Sequence, residues 1–268
     1  MLYHLFKKGL SAIGMVFVMA VLTSCSQENL IFYPETLPAD YKYRFSMPFE
    51  ELSLNVDGGT INALHFKIPN SRGVVIYFHG NAGSLRTWGD VAGEFTSRGY
   101  NVLITDYRGF GKSRGKITGE ELLLKDGRTV YEYAKNLYPE DRIILYGRSI
   151  GTGIAVHVAK HEKPALLILE SPYFNLIDLA NHHYPFIPRF LIASFLKYPI
   201  RTDLWIKDVS CPIYIFHGTA DMVIPCDSSE RLIKTCDGKV RLIRIEGAGH
   251  NDIGDSPLYQ RTLSAILR

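Results

Sequence analysis

The stretch Gly147-Arg148-Ser149-Ile150-Gly151 sets a hydroxyl between two glycines, directly after an apolar run that ends at Tyr146. A turn tight enough to hold that hydroxyl outward between a strand and a helix has no room for side chains on its flanks, and glycine meets the need. A serine hydroxyl is a weak nucleophile until a base takes its proton. His250, in the loop Gly247 to Asp252 that follows the last apolar run, is the expected base. The imidazole in turn needs a carboxylate to fix its tautomer and stabilise its charged form. Asp221, in His217-Gly218-Thr219-Ala220-Asp221 after the preceding run, is the expected partner. A tetrahedral oxyanion needs N–H donors, and the loop His79-Gly80-Asn81-Ala82-Gly83 follows another apolar run. The expected donors are the Asn81 N–H and the Ile150 N–H just after the serine. The chemistry this set can perform is acyl transfer through Ser149, with no metal and no organic cofactor.

Other residues compete for these roles. Asp106 and Glu170 also end apolar runs; Asp106 reads as a turn carboxylate and Glu170 as the stronger rival for the acid. Asp252 reads as a loop or cap residue. His79 and His217, each before a glycine, read as local hydrogen-bonding groups that could also line a pocket. His157 and His161 share a helix face, but no Glu stands in a His-Glu-x-x-His arrangement and no third ligand is near. His182 and His183 read as polar surface. Gly109 to Ser113 ends like a phosphate-binding loop, but Asp106 stands where that motif needs its first glycine.

The elements that must position these groups follow from periodicity. Glu51 to Val56 and Thr60 to Lys67 alternate around Asp57-Gly58-Gly59, which predicts a hairpin. Six apolar runs then begin at Gly73, Val102, Arg142, Ala165, Ile213 and Val240. Five lack polar alternation, as strands covered on both faces do. Helices are expected between them, near 85–97, 119–137, 150–161, 228–235 and 257–267. Alternating strand and helix predicts an α/β fold with a mostly parallel central sheet, an N-terminal antiparallel hairpin and helices on both faces. Residues 172–210 break the rhythm with four prolines and many Tyr, Phe, Leu and Ile, and read as a lid-like insertion or an extra packing layer. Within it Phe186, Phe190, Leu191 and Phe195 are expected as an acyl-binding wall or as helix core.

The chain has 268 residues, 46% hydrophobic and 21% charged, with a net charge of +3. These values exclude wholesale disorder and a multi-span membrane protein. The near balance of charge gives no case for nucleic acid as a partner. Lys7 and Lys8 precede an apolar run from Leu10 to Leu22, which is short for a bilayer span. Its ending, Leu22-Thr23-Ser24-Cys25, resembles the bacterial lipobox. That resemblance implies a signal peptide over 1–24 and a lipid anchor on Cys25, and so a place in the cell envelope. Residues 25–48 read as a tether that begins to wrap onto a domain over 49–268. Cys211, Cys226 and Cys236 remain and imply no disulfide framework.

Six stretches together carry a wider resemblance: Phe78 to Gly83, Asp106 to Gly111, Gly147 to Gly151, Glu170 to Pro172, His217 to Asp221 and Gly249 to Asp252. In this order they resemble the α/β-hydrolase superfamily, and within it the BEM46-like and ABHD13/ABHD17-like serine hydrolases, from about Phe49 to the end of the chain. The resemblance implies an α/β-hydrolase fold and the chain order Ser149, Asp221, His250. It also implies hydrolysis of a carboxylic ester or thioester, with a small-molecule acyl or lipid-like substrate. Members include membrane-linked protein depalmitoylases. The alternatives are a serine peptidase or amidase on cell-surface material and a catalytically silent binding lipoprotein. The expected assembly is a monomer.

Overall fold

Eight strands form one sheet in the computed structural model of the chain, which describes residues 27–236, 238 and 240–268. They are β1 Phe49–Val56, β2 Gly59–Phe66, β3 Val74–Phe78, β4 Asn101–Thr105, β5 Ile143–Arg148, β6 Leu166–Glu170, β7 Ile213–Gly218 and β8 Val240–Ile245. Their spatial order is β8-β7-β6-β5-β3-β4-β2-β1. The last six strands in sequence pair in parallel, and the hairpin β1–β2 adds to β4 antiparallel.

Successive residues of the parallel strands enter opposite layers. Ile76, Phe78, Leu145 and Leu167 pack with α4 Glu120–Lys135 and α5 Ile150–His161 on one face. Val75, Tyr77, Tyr146 and Ile168 pack with α2 Leu85–Trp88, α3 Ala92–Thr96 and α10 Pro257–Ile266 on the other. Both side-chain sets of each strand are buried, which is why these runs carry no polar alternation. β8 is the exception because it is an edge strand, with Arg241 and Arg244 exposed.

The chain runs from β3 to β4 on one side and then returns to β5 on the other side of β3. This reversal opens a crevice at the carboxyl ends of β3 and β5, the usual ligand site of such sheets. Ser149 follows β5 there and Asn81 follows β3.

The sequence expected one helix over 85–97, but two short helices form, with a 3₁₀ turn at 89–91 between them. Packing fixes the residue in that turn: a Cβ on Gly89 would lie 2.2 Å from the Phe45 ring, so the chain presents bare backbone to that side chain. The insertion 172–210 contains three helices, α6 Leu176–His183, α7 Arg189–Phe195 and α8 Thr202–Trp205. The remaining helix, α9 Asp227–Lys234, lies between β7 and β8.

The segment before β1 is folded onto the domain from its first described residue. Helix α1, Gln27–Ile31, lies against the insertion: Gln27 Nε2 donates to Phe195 O at 2.8 Å, and its Oε1 accepts from Lys197 N at 2.9 Å. Tyr33–Pro34 then pairs in parallel with Ala82–Gly83. Phe32, Leu37 and Tyr43 are buried, Phe32 edge-on to Tyr198 at 5.4 Å. Cys25, Lys7, Lys8 and the apolar run Leu10–Leu22 lie outside the described residues.

Candidate active site

Ser149 sits at φ 52°, ψ −119°, a backbone geometry that non-glycine residues rarely adopt and that clusters at functional sites. Its neighbours explain how the chain holds it. A Cβ on Gly147 would meet Gly151 O at 2.6 Å, and one on Gly151 would meet Phe78 O at 2.1 Å. Both glycines are therefore required by contact, as the motif demands. Gly153, in the first turn of α5, faces Tyr173 and Ile200, where a Cβ would lie 2.1 Å and 2.3 Å away.

His250 bridges the serine and an acid. Its Nε2 is 3.1 Å from Ser149 Oγ and its Nδ1 is 2.7 Å from Asp221 Oδ2. Because a carboxylate only accepts, Nδ1 carries the proton and Nε2 is free to take one from the hydroxyl. Asp221 is further held by Ser171 Oγ, which donates to Oδ2 at 2.9 Å, and by the Val223 and Ile224 N–H groups, which donate to Oδ1 at 2.9 and 2.8 Å. Burial favours its neutral form, but hydrogen bonds from His217, His250 and the Ile224 backbone outweigh that and hold the carboxyl far below its ordinary range. Asp221 is therefore a fixed anion beside the imidazole.

The oxyanion-side loop is equally well fixed. Asn81 O accepts from Tyr33 N at 2.8 Å, and Asn81 Nδ2 donates to Ile31 O at 3.1 Å. His79 Nδ1 donates to Gly80 O at 2.7 Å. The Ile150 N–H lies in the first turn of α5, where no carbonyl of the helix accepts it. Neither it nor the Asn81 N–H donates to a protein acceptor among the described residues.

The rival carboxylates are committed elsewhere. Glu170 pairs with Arg148 Nε at 3.1 Å and accepts from Tyr146 OH at 2.5 Å. Asp106 accepts from Leu85 N and stands 3.3 Å from His79 Nε2, bracing the loop after β3. Asp252 accepts from Gly249 N at 2.6 Å. His217 bonds Ile224 O and Ser229 Oγ and stands 3.4 Å from Asp221 Oδ2, so it braces the acid rather than replacing the base. His157 packs on Trp205, and burial lowers its pKa to about 4. Among the described residues no three His, Cys, Asp or Glu gather as a metal site. Cys211 is buried, and Cys226 and Cys236 are half-buried.

Two contributors were missed in the sequence. Ser171 lies within the matching stretch Glu170 to Pro172, where nothing in the residue types signals its φ of 48° or its bond to Asp221. Arg148 occupies the variable position of its motif, so spacing carries no signal for it. Its Nη2 donates to His250 O at 3.3 Å and to Asn251 Oδ1 at 3.0 Å, while its guanidinium lies 5.1 Å from the Trp88 ring.

Ser149 and His250 open onto a cavity of about 800 Å³. Its walls are mostly apolar and come from α1, α6, α7 and the loop after Asp221, and among the described residues no Asp or Glu lines it. Of the four insertion residues expected as either cavity wall or helix core, Phe186 lines the cavity, beside Ile187, Ile192 and Leu196, and Phe190, Leu191 and Phe195 do not. Ile192 and Leu196 lie four apart and share the inward side of α7, which leaves Phe190 exposed. His183, expected as plain surface, is exposed but lines the cavity, and its Nε2 donates to Val223 O at 2.9 Å.

Residues 69–203 match the Hydrolase_4 family, described as "Serine aminopeptidase, S33". An uncharacterized protein of Mycobacterium tuberculosis is 30% identical over 234 residues, covering 84% of this chain and 81% of that one. The lysophosphatidylserine lipase ABHD12 of Danio rerio is 31% identical over 228 residues, covering 74% of this chain and 59% of that protein. The Pyrococcus furiosus esterase Pf2001 superposes with a TM-score of 0.70 at 19% identity, over 88% of this chain and 96% of that one. A thioesterase domain from the curacin biosynthetic pathway does so at 0.60 and 16% identity, over 82% and 99%. The chain belongs to the Hydrolase_4 family of α/β-hydrolases. It is a hydrolase, with the fold and the relatives of enzymes acting on ester-type bonds.

Proposed function

We propose that the protein is a serine hydrolase that cleaves carboxylic ester or thioester bonds of acyl or lipid-like substrates. The observation that carries this reading is the hydrogen-bonded chain Ser149–His250–Asp221, whose serine and histidine open onto an apolar cavity that no described carboxylate lines. Ser149 Oγ attacks the acyl carbonyl as His250 Nε2 takes its proton. The Asn81 and Ile150 N–H groups receive the oxyanion, a contribution of ~10²–10³ in rate per donor. The imidazolium returns the proton to the leaving alcohol or thiol, and the acyl group stays on Ser149. Water, deprotonated by the same imidazole, then releases the acid. The likeness to a lysophosphatidylserine lipase and to esterase folds supports the acyl side of this reading.

The family description favours a second reading, a serine aminopeptidase. An aminopeptidase must receive a charged amino terminus, for which a carboxylate is the natural partner, and none lines this cavity. The test is a series of p-nitrophenyl esters from acetyl to palmitoyl beside the matching amino-acid anilides, with Ser149→Ala in parallel. The ester reading expects turnover of esters and a loss on the order of 10⁴–10⁶ in the variant. Anilide turnover without ester turnover replaces it with the peptidase reading.

The proposal extends to attachment through acylated Cys25 at the cell envelope. Metabolic incorporation of a palmitate probe into the full chain, abolished by Cys25→Ala, tests it, and incorporation that survives the substitution refutes it.

A further inference from the structure

The cavity opens through an apolar rim. Leu30, Tyr33, Tyr184, Phe186 and Val223 line the cavity and are also exposed, so they form its mouth. Phe190 and Met222 stand beside them in the chain and are 68% and 86% exposed. These seven are most of the ten large apolar side chains exposed among the described residues. Single exposed apolar residues are ordinary, whereas a set gathered around one opening marks a surface that meets something apolar. The three segments that supply the rim are held together. His183 donates to Val223 O, Gln27 bonds Phe195 and Lys197, and the Tyr184 and Phe186 rings lie 6.2 Å apart.

The preceding chain leaves from the same place. Gln27 lines the cavity, and residues 1–26 before it carry Lys7, Lys8 and the apolar run Leu10–Leu22. Cys25, where the proposed anchor attaches, precedes Gln27 by only two residues, so an anchor there keeps the mouth close to the membrane. Three aromatic side chains, Tyr33, Tyr184 and Phe186, ring the opening, and no carboxylate lines it. A bilayer surface accommodates such a rim, with tyrosines at headgroup depth and apolar side chains just below.

We propose that the mouth of the cavity docks on a phospholipid bilayer, so that an acyl chain passes from the membrane into the cavity without crossing water. The purpose of docking rests on the acyl-hydrolase reading, while docking itself is read without turnover.

The test uses the full chain in phosphatidylcholine vesicles containing a phospholipid with a photoactivatable acyl chain. Irradiation and peptide mass spectrometry locate the labelled residues. A Phe190→Asp/Met222→Asp variant, neither residue lining the cavity, is treated in parallel. The expected result is labelling of 184–190 and 222–223, reduced about fivefold or more in the variant. Hydrolysis of water-soluble p-nitrophenyl acetate stays within about twofold of the parent, while hydrolysis of a vesicle-embedded palmitoyl ester falls about fivefold. Labelling confined to residues 1–26, or equal in parent and variant, overturns the proposal. So does a rim unlabelled by lipid in a chain that sediments as a dimer through this face. Rim labelling in a chain that hydrolyses no ester upholds docking and overturns the acyl-hydrolase reading instead.

Discussion

Arg148, the residue before the serine, holds the backbone of the histidine: its Nη2 donates to His250 O at 3.3 Å while its Nε pairs with Glu170 at 3.1 Å. The loop 247–252 carries two glycines and is tied at its start, where Gly247 N donates to Thr219 Oγ1 and Ala248 O accepts from Ala220 N, while Arg148 is the tie at the His250 backbone itself. Arg148 ties it to β6 through Glu170, which Tyr146 braces from below. Arg148→Gln therefore lowers kcat for a short ester by about 10–100-fold with little change in KM, because misplacing a base by an ångström has that effect. Arg148→Lys does not restore the rate, since one ammonium cannot span Glu170, His250 O and Asn251 together. Steady-state kinetics of both variants check this.

Asp221 sets an acid limit on stability. Its folded carboxyl is held well below the ordinary value by His217, His250 and backbone donors against the pull of burial. A depressed carboxyl stabilises the fold above its unfolded pKa of about 3.9 and loses that contribution as pH falls toward the folded value. The urea midpoint of the parent should thus exceed that of Asp221→Asn by a constant amount from neutral pH down to about pH 5, and the gap should close below about pH 4. A gap that widens on acidification contradicts the assignment. In the same variant kcat falls by about 10⁴, through loss of the correct imidazole tautomer.

Gly153 has no space for a methyl group, with Tyr173 Oη and Ile200 Cγ2 at 2.1 and 2.3 Å from a built Cβ. Gly153→Ala destabilises the fold by about 1–3 kcal/mol, the usual penalty of overpacking. At a position where nothing stands within 4 Å, Gly254→Ala is the control, and thermal melts of the two separate local crowding from helix propensity.

Removal of residues 27–34 takes away the Tyr33 N and Ile31 O partners of Asn81 and the Gln27 clasp on the insertion. Relative to a chain beginning at Gln27, one beginning at Glu35 should lose about tenfold or more of its short-ester kcat, as displaced oxyanion donors do. Equal rates would show that Asn81 is held without that segment.

The legible part of this protein was the part governed by local rules. Helix α5 is found at its expected bounds, and the apolar runs give β3 to β8 because burial on both faces leaves a pattern in the residues themselves. Ser149, Asp221 and His250 are brought together because each follows a strand at one edge of the sheet. The rest depends on contacts distant in sequence. Gly89 must be bare only because Phe45 lies against it. Ser171 and Arg148 act through partners 50 and 102 positions away. The segment before Phe49 reads as a tether because nothing in its residues announces that Gln27 will reach Phe195.

That same segment touches both sides of the reaction centre. Gln27 grips the insertion that walls the cavity, and six residues later Tyr33 grips the loop that carries Asn81. A strut this short behaves as a rigid link. Outward swing of the insertion and relaxation of the Asn81 loop are thereby coupled, and the cavity cannot widen without disturbing the proposed oxyanion donors.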